Sequence, residues 1–180
     1  DGEASPLTGL PGNRLIQQAL EARIRSGCKF AVCYADLDDF KSYNDRYGFF
    51  AGSEVIKLTA QVILEALRMH GAEGDFVGHI GGDDFVIITT AEKCSQIVEK
   101  IIFTFDSLIL NQYDEETRKN RFLLGTDRSG AEVKFPIMTV SFGCVSAEPS
   151  RFKHYSQITE RSKELLMKAK ALPNSHAVYE

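Results

Sequence analysis

Residues 75–89 limit the fold of this chain more than any other stretch, because they combine two β-prone runs with a glycine turn. The run DFVG ends at Gly78, the run FVIIT begins at Phe85, and HIGGDD lies between them. Gly81 and Gly82 accept the positive φ angles of a tight turn, so the pattern predicts a β-hairpin. Their lack of side chains would also let a bulky ligand approach the backbone.

Two adjacent carboxylates, Asp83 and Asp84, follow this turn. Like charges side by side repel each other, so we expect a cation, or the metal ions that accompany a polyphosphate, to lie against them. The alternative interpretation is an acidic, solvated turn without a ligand.

A second acidic cluster follows a predicted strand. The run KFAVCYA is apolar and β-prone, and it leads directly into DLDDFK at residues 36–41. A strand that ends in carboxylates and continues into a helix places Asp36 near the amides of a helix N-terminus, which suits a metal-bound phosphate. If this strand pairs beside the hairpin, Asp36 and Asp83 can hold Mg²⁺ between them as hard oxygen ligands. The alternative is that Asp38 or Asp39 only caps the following helix.

Composition excludes several functional classes. With 180 residues, of which 43% are hydrophobic, we expect a single domain over residues 1–180, with 1–6 as the end of a linker. A net charge of −4 without a basic stripe argues against nucleic-acid binding. We see no membrane-spanning run and no signal segment, so we expect a soluble, cytoplasmic domain. The four cysteines form no CxxC pair, and we expect them to be reduced.

Apolar periodicity predicts the elements around these motifs. The predicted helices cover residues 13–26, 40–47, 53–70, 91–112 and 155–172. Further strands are predicted at residues 136–145, which would be buried, and 176–179, which would form an edge. The polar segment 113–135 is interpreted as an insertion that forms an extra β-hairpin and decorates the surface.

Four motifs in this order resemble the GGDEF family of dinucleotide cyclases: LTGLPGNR at residues 7–14, DLDDFK at 36–41, NDRYG at 44–48 and GGDDF at 81–85. The resemblance implies an α/β fold of the α+β kind, with a central, mostly antiparallel five-stranded sheet flanked by helices. It implies an enzyme in which two nucleoside triphosphates become a cyclic dinucleotide, each 3′-hydroxyl attacking the other's α-phosphate. Since one chain holds half of such a site, a homodimer is expected, together with an upstream sensory or receiver domain in the full protein.

The resemblance also assigns roles to individual residues. The metal would be Mg²⁺, with Mn²⁺ as an alternative, and its implied ligands are Asp36, the Leu37 carbonyl and Asp83. The implied catalytic residues are Asp83, Asp84 and Lys41, of which Asp84 would be a general base or would contribute to a second metal. The implied nucleotide-binding residues are Asn44 and Ser53 for the purines, Asp39, Phe40 and Lys170 for the phosphates, and Gly81 and Gly82 beneath the nucleotide.

Ser53 departs from the family pattern. Most members carry Asp there, whose carboxylate accepts two hydrogen bonds from guanine, whereas a serine hydroxyl can accept from or donate to adenine. Losing a charge-assisted hydrogen bond costs roughly 1.5–3 kcal/mol, so the preference for guanine should fall by about ten- to a hundred-fold. The chain thereby resembles the hybrid promiscuous (Hypr) subgroup, which makes cyclic AMP-GMP.

The expected substrates are therefore GTP and ATP, and the expected main product is cyclic AMP-GMP, formed beside cyclic di-GMP and cyclic di-AMP. One alternative is a plain diguanylate cyclase. Another is a catalytically silent module that only senses GTP or ATP. The last is that Ser53 is an N-cap without catalytic meaning.

A product-inhibition site is expected to be degenerate. Many members carry RxxD before the hairpin, and here Asp75 remains while Ala72 stands at the position of the arginine. Alanine cannot replace the bidentate contact of a guanidinium, so feedback inhibition by the product should be weak or absent. The alanine is either natural or an engineered substitution.

Four smaller departures accompany these. Asp84 replaces the usual Glu, Phe49 a frequent His, and Ser5 an Asp, the last of which is expected to loosen a structural contact. Asn174 stands where an Arg is expected four residues after Lys170, which should weaken the binding of the triphosphate, although its amide can still donate a neutral hydrogen bond.

Overall fold

The computed structural model describes residues 3–180, and a five-stranded sheet forms its centre. The strands of the described residues are β1 (Phe30–Asp38), β2 (Phe76–Gly81), β3 (Asp84–Thr89), β4 (Phe122–Thr126), β5 (Glu132–Pro136), β6 (Thr139–Ala147) and β7 (His176–Tyr179). The central sheet has the order β2-β3-β1-β6-β7. Its neighbours are antiparallel except for β6 and β7, which are parallel, so the predicted fold class is confirmed.

Helices cover both faces of this sheet. Those of the described residues are α1 (Asn13–Ser26), α2 (Phe40–Tyr47), α3 (Phe49–His70), α4 (Cys94–Leu108), which continues as a 3₁₀ turn (Ile109–Gln112), α5 (Glu115–Asn120) and α6 (Tyr155–Lys170). Ile16 of α1 and Ile158 of α6 pack on one face with Val32. Val55 of α3 and Ile97 of α4 pack on the other face with residues of β1 and β3.

The central strand β1 explains why its sequence lacks the alternation of a half-exposed strand. All residues from Phe30 to Ala35 are buried, since helices cover both sides. The register places Asp36 directly opposite Asp84 of β3 and Ser141 of β6. A strand that is apolar over most of its length therefore delivers its first carboxylate at the edge of the sheet beside the hairpin.

Three predicted helices differ in their bounds, and the last of them, predicted at 155–172, ends at Lys170. Helix α3 begins at Phe49 because Gly48, with a φ of 94°, separates it from α2. Ser53 consequently lies in the second turn of α3, so the interpretation of Ser53 as an N-cap is wrong. The predicted helix 91–112 is shorter, because residues 91–93 form a turn and the end tightens into a 3₁₀ segment.

The insertion at residues 113–135 forms the predicted hairpin, β4 with β5, preceded by the short helix α5. Most of its residues are exposed, so the hairpin lies largely on the surface. At its start, Tyr113 is only 4% exposed, and its hydroxyl accepts a hydrogen bond from the Met138 amide at 2.9 Å. Strand β5 extends to Pro136, so β6 begins only at Thr139. Tyr113 thus anchors the insertion to the domain, and the interpretation as surface decoration stays a prediction.

Between residues 3 and 180, none of the helices combines the length and the hydropathy needed to cross a bilayer. The cysteines are free thiols, as expected: Cys33, Cys94 and Cys144 are buried, and Cys28 is exposed.

Candidate active site

Three acidic side chains meet where β1 ends and β3 begins, at one end of these inner strands. We call Asp36, Asp83 and Asp84 the carboxylate triad. Asp36 pairs with Asp84 across β1 and β3, and Asp83 lies in the turn that precedes β3. Gly81 and Gly82 form this turn with φ angles of 151° and 54°, which glycine adopts without strain. Each of the three carboxylates offers one oxygen within 4.8 Å of the others. The structure thus brings together the acidic side chains of two sequence motifs that are more than forty residues apart.

Burial and the neighbouring carboxylates raise the pKa values of two members of the triad, Asp83 and Asp84. Burial, followed by the hydrogen bond and the charge of Asp36, raises the pKa of Asp83 to about 7 and the pKa of Asp84 to about 7. Within residues 3–180, Oδ1 of Asp36 is buried without a hydrogen-bond partner. Three crowded carboxylates with a free buried oxygen therefore fit a divalent cation that prefers oxygen ligands, such as Mg²⁺.

Lys170, at the end of α6, supplies a positive charge to this edge of the sheet. Its Nζ lies 3.1 Å from Oδ2 of Asp36 and 2.8 Å from Oδ1 of Asp38, and it donates to the Leu37 carbonyl at 3.1 Å. Burial lowers the pKa of Lys170, but the contacts with both carboxylates outweigh burial and raise the pKa above its usual value. The ammonium thus contacts two of the three residues assigned to the metal.

Neither Asp38 nor Asp39 caps α2, so the capping alternative is wrong. Oδ2 of Asp38 accepts hydrogen bonds from the hydroxyls of Thr139 and Ser141, each at 2.7 Å. Asp39 occupies the N-cap position with a left-handed φ of 62° but makes no side-chain cap bond. Burial, followed by the charge of Asp38, raises the pKa of Asp39. The first amides of α2 are therefore not satisfied by either carboxylate.

Lys41 lies on the solvent side of α2. Its side chain is 89% exposed and its Nζ pairs with Oδ2 of Asp45 at 2.9 Å. None of its contacts in the described residues reaches the carboxylate triad, so the structure does not bring this predicted catalytic residue to the other candidates.

A cavity of about 420 Å³, which we call the purine cavity, adjoins the glycine turn. The candidate residues that line it are Phe40, Asn44, Phe49, Ser53, Gly81 and Gly82. Oδ1 of Asn44 is buried and, in the part of the chain that the structure describes, has no hydrogen-bond partner. A Cβ at Gly52 would lie 1.7 Å from this oxygen, so a glycine is needed to leave room for the amide. Asn44 lines this cavity, and its side-chain amide carries a donor and an acceptor of the kind that a base pairs with.

His79 connects the N-terminal motif to the glycine turn, and the sequence analysis assigned it no role. Its Nδ1 lies 2.6 Å from the Ser5 hydroxyl and its Nε2 lies 2.8 Å from the Gly82 carbonyl, while its ring stacks on Phe85. The carbonyl can only accept, so Nε2 carries the proton. Ser5 therefore makes a direct contact here, and the expectation that this contact is looser than that of an Asp stays a prediction. The signal in the sequence was a polar residue inside an apolar strand.

A second cavity, of about 400 Å³, adjoins Lys170 and is called the phosphate cavity below. The charged and amide residues that line it are Asp38, Asp39, Asp106, Arg121, Lys170 and Asn174. Arg121 follows α5 in the insertion and has a left-handed φ of 65°. No salt bridge within residues 3–180 involves its guanidinium. Nothing in the sequence pointed to Arg121, because a single arginine in a polar insertion resembles an ordinary surface residue.

The residues predicted to form a degenerate product site, Ala72 and Asp75, lie in a local turn. Oδ2 of Asp75 accepts a hydrogen bond from the backbone amide of Ala72 at 2.7 Å, so one oxygen of the remaining acid is used within the turn. Its Oδ1 is buried and has no partner in the described chain. The prediction of weak product binding stays a prediction.

The sheet, the carboxylate triad and the two adjoining cavities define an α+β domain with a candidate nucleotide site at one edge of its sheet. The chain belongs to the GGDEF family, since the family model described as "Diguanylate cyclase, GGDEF domain" matches residues 4–176.

Two curated relatives come from Pseudomonas aeruginosa. Diguanylate cyclase DgcP is 33% identical over 103 residues, which are 53% of this chain and 15% of the relative. Bifunctional diguanylate cyclase/cyclic di-GMP phosphodiesterase MucR is also 33% identical over 103 residues, which are 14% of its length. The chain thus matches about one seventh of these relatives.

Solved structures share the fold. The GGDEF domain of DgcB from Caulobacter crescentus, in complex with c-di-GMP, has a TM-score of 0.72 at 21% identity, covering 99% of this chain and 96% of that one. Diguanylate cyclase SiaD from Pseudomonas aeruginosa, in complex with its activator SiaC, has a TM-score of 0.72 at 23% identity, covering 98% of this chain and 61% of that one.

Proposed function

We propose that this domain is a diguanylate cyclase that condenses two molecules of GTP into cyclic di-GMP. The observation that carries the proposal is the carboxylate triad, whose carboxylates crowd within 4.8 Å at the edge of the sheet. The turn that holds Asp83 lines the purine cavity, and Lys170 beside Asp36 lines the phosphate cavity. Membership in the family and the names of two relatives support this product.

In this proposal, individual residues of the chain bind the metal ion, the purine and the phosphates. Asp36, the Leu37 carbonyl and Asp83 would hold Mg²⁺ or Mn²⁺, which when bound neutralises charge on the α-phosphate and lowers the pKa of the attacking 3′-hydroxyl. Asn44 offers an amide to the purine. Lys170, within reach of the phosphate cavity, would neutralise the triphosphate together with the free amides of α2.

Arg121 joins this assignment as a triphosphate ligand. It lines the phosphate cavity in company with Asn174, which stands where the family pattern has arginine. A guanidinium makes bidentate, charge-assisted hydrogen bonds to phosphate oxygens, which an asparagine amide cannot make. We therefore assign to Arg121 of the insertion the guanidinium that the family pattern places at position 174, where this chain has Asn174.

Lys41 is not retained in the catalytic set, since its ammonium pairs with Asp45 in solvent. Asp84 keeps its proposed role as general base or contributor to a second metal. The raised pKa values of Asp83 and Asp84, about 7 each, would let either group take up a proton near neutral pH.

Catalysis requires a homodimer in this proposal. The product contains two nucleotides, whereas each chain offers one carboxylate triad and one purine cavity in residues 3–180. Two chains that face each other would supply two carboxylate triads and two purine cavities. An upstream sensory or receiver domain that controls this encounter, and a cytoplasmic location, stay predictions.

A second candidate product, cyclic AMP-GMP, is favoured by one observation. Ser53 lines the purine cavity, where its hydroxyl replaces the carboxylate that the family pattern provides for guanine. A hydroxyl both donates and accepts, so it accommodates adenine as well as guanine. The position of Ser53 thus supports the resemblance to the Hypr subgroup, while the named relatives favour cyclic di-GMP.

The test is a product assay by mass spectrometry with Mg²⁺ and GTP alone, ATP alone, or an equal mixture. Cyclic di-GMP as the dominant product in the GTP and mixed reactions would support the main proposal, and cyclic AMP-GMP dominating the mixture would support the second candidate. Bound nucleotide without product would leave a silent sensing module. Asp36→Asn should abolish turnover while the matched surface variant Asp45→Asn retains it.

A further inference from the structure

Three buried thiols meet in the core, away from the residues assigned to the nucleotide. Cys33 lies on β1, Cys144 lies opposite it on β6, and Cys94 is the first residue of α4. Their side chains are at most 6% exposed, and one sulfur from each lies within 4.8 Å of the others. The sulfurs of Cys33 and Cys94 are 3.1 Å apart. We call these residues the thiol cluster.

We propose that the thiol cluster is a binding site for a soft monovalent metal ion, Cu(I), with three sulfur ligands. Thiolate ligands select soft ions such as Cu(I) and Zn(II). A structural zinc site is almost always closed by four ligands, whereas this cluster offers three among the described residues. With metal–sulfur bonds of about 2.3 Å, a trigonal site needs sulfurs about 4 Å apart, which the cluster reaches with small side-chain rotations.

The thiolate, not the thiol, binds a metal ion, so uptake of Cu(I) would release the protons of the ligating thiols to solvent. The first amides of α4 favour the thiolate of Cys94, which is the first residue of this helix.

Strand β7 lies next to the thiol cluster. The register pairs Cys144 with Tyr179 of this edge strand, which is four residues long. Short edge strands open more easily than central ones, because few backbone hydrogen bonds hold them. In this proposal, transient opening of β7 admits the ion from the Cys144 side.

The test titrates the reduced chain, without oxygen, with Cu(I) supplied as its bathocuproine disulfonate complex. Transfer of one Cu(I) per chain, seen as loss of the coloured complex, is expected. Cys33→Ser and Cys144→Ser should weaken binding by more than about 100-fold, beyond the usual cost of losing a supporting contact at a metal site. Cys28→Ser, which changes the exposed cysteine, is the matched control and should retain full binding.

A second measurement does not depend on the folding of the variants. X-ray absorption of the copper-loaded chain should give three sulfur ligands at about 2.3 Å. Absence of copper transfer, retention of binding by Cys33→Ser, loss of binding in Cys28→Ser, or a spectrum with fewer than three sulfurs would overturn the proposal. So would a disulfide between Cys33 and Cys94 that forms in place of copper uptake.

Discussion

Lys170 and Asp36 form a half-buried ion pair in which Nζ lies 3.1 Å from Oδ2, beside the two further carboxylates of the triad. The ammonium therefore sits against an oxygen that we assign to a divalent cation. We expect this contact to make Lys170 a competitor of the cation when no nucleotide is present, and we propose that Lys170 binds the triphosphate when it is.

Replacing Lys170 by Met should separate these two effects. The affinity for Mn²⁺ without nucleotide, measured by electron paramagnetic resonance, should rise because a competing charge is gone. The kcat/KM of product formation should fall by about 10- to 100-fold, since a charge-assisted contact to phosphate is lost. Lys168→Met, on the exposed side of the same helix, is the control and should leave both quantities unchanged. Weaker Mn²⁺ binding in Lys170→Met would contradict the competition.

Stability in the absence of divalent cations should fall as the pH rises. The folded chain raises the pKa of Asp83 and Asp84 from 3.8 to about 7. Proton binding by the folded state is therefore favoured, and its contribution is complete below about pH 4 and lost as the pH rises through about 7. The Tm measured in EDTA should drop between pH 5 and 8, and Mg²⁺ should reverse more of the drop at pH 8 than at pH 6.

Asp83→Asn provides the reference for this pH dependence, because the amide does not titrate. The difference in Tm between this variant and the unchanged chain should grow in favour of the variant from pH 5 to pH 8 in EDTA. A difference that is independent of pH would contradict the raised pKa.

Ser53→Asp should shift the products towards cyclic di-GMP. The introduced carboxylate can accept two hydrogen bonds from guanine, and each charge-assisted bond is worth roughly 1.5–3 kcal/mol, or about a ten- to hundred-fold change in base preference. The ratio of products from an equal mixture of GTP and ATP, measured by mass spectrometry, reports the shift. Ser53→Ala controls for loss of the hydroxyl. An unchanged product ratio in Ser53→Asp would show that residue 53 does not select the base.

Arg121→Ala should raise the KM for the nucleotide by about 10-fold with a smaller effect on kcat, because a contact to the triphosphate is made before and during the reaction. Arg128→Ala, in the turn between β4 and β5, removes the same charge from the same insertion and should leave the KM unchanged. If both variants raised the KM equally, Arg121 would act only through long-range electrostatic attraction and not as a direct ligand of the triphosphate.

Much of the candidate site could be predicted because its motifs are local. The glycine turn needs a short run of suitable residues, and the apolar strand β1 needs its own uninterrupted pattern. The four motifs that resemble the GGDEF family predicted the fold class and located Asp36, Asn44 and Asp83, and the resemblance also pointed to Ser53. The structure places these residues at the triad or the purine cavity. The position of Lys41 could not be predicted in this way, because motif membership does not say which way a side chain faces.

The insertion shows the limit of reading composition. Its polar sequence indicated a surface hairpin but not its attachment to α2. The Tyr47 hydroxyl donates to Asp114 of the insertion, and the Tyr43 hydroxyl donates at 2.7 Å to the carbonyl of Gln112, just before it. These contacts come from α2 and connect residues more than sixty positions apart. The sequence of a short helix does not indicate which distant groups its tyrosine hydroxyls will contact.

The sequence by itself determined the hairpin, the central apolar strand and the acidic residues at their ends, because turn geometry and burial act on neighbouring residues. Only the tertiary structure decided that Arg121 and Lys170 line one cavity and that Cys33, Cys94 and Cys144 share one cluster. These groups come from elements far apart in the chain, and their distances follow from how helices pack on the two faces of the sheet. Periodicity predicts which face of an element is buried, but the packed core determines which side chains meet there.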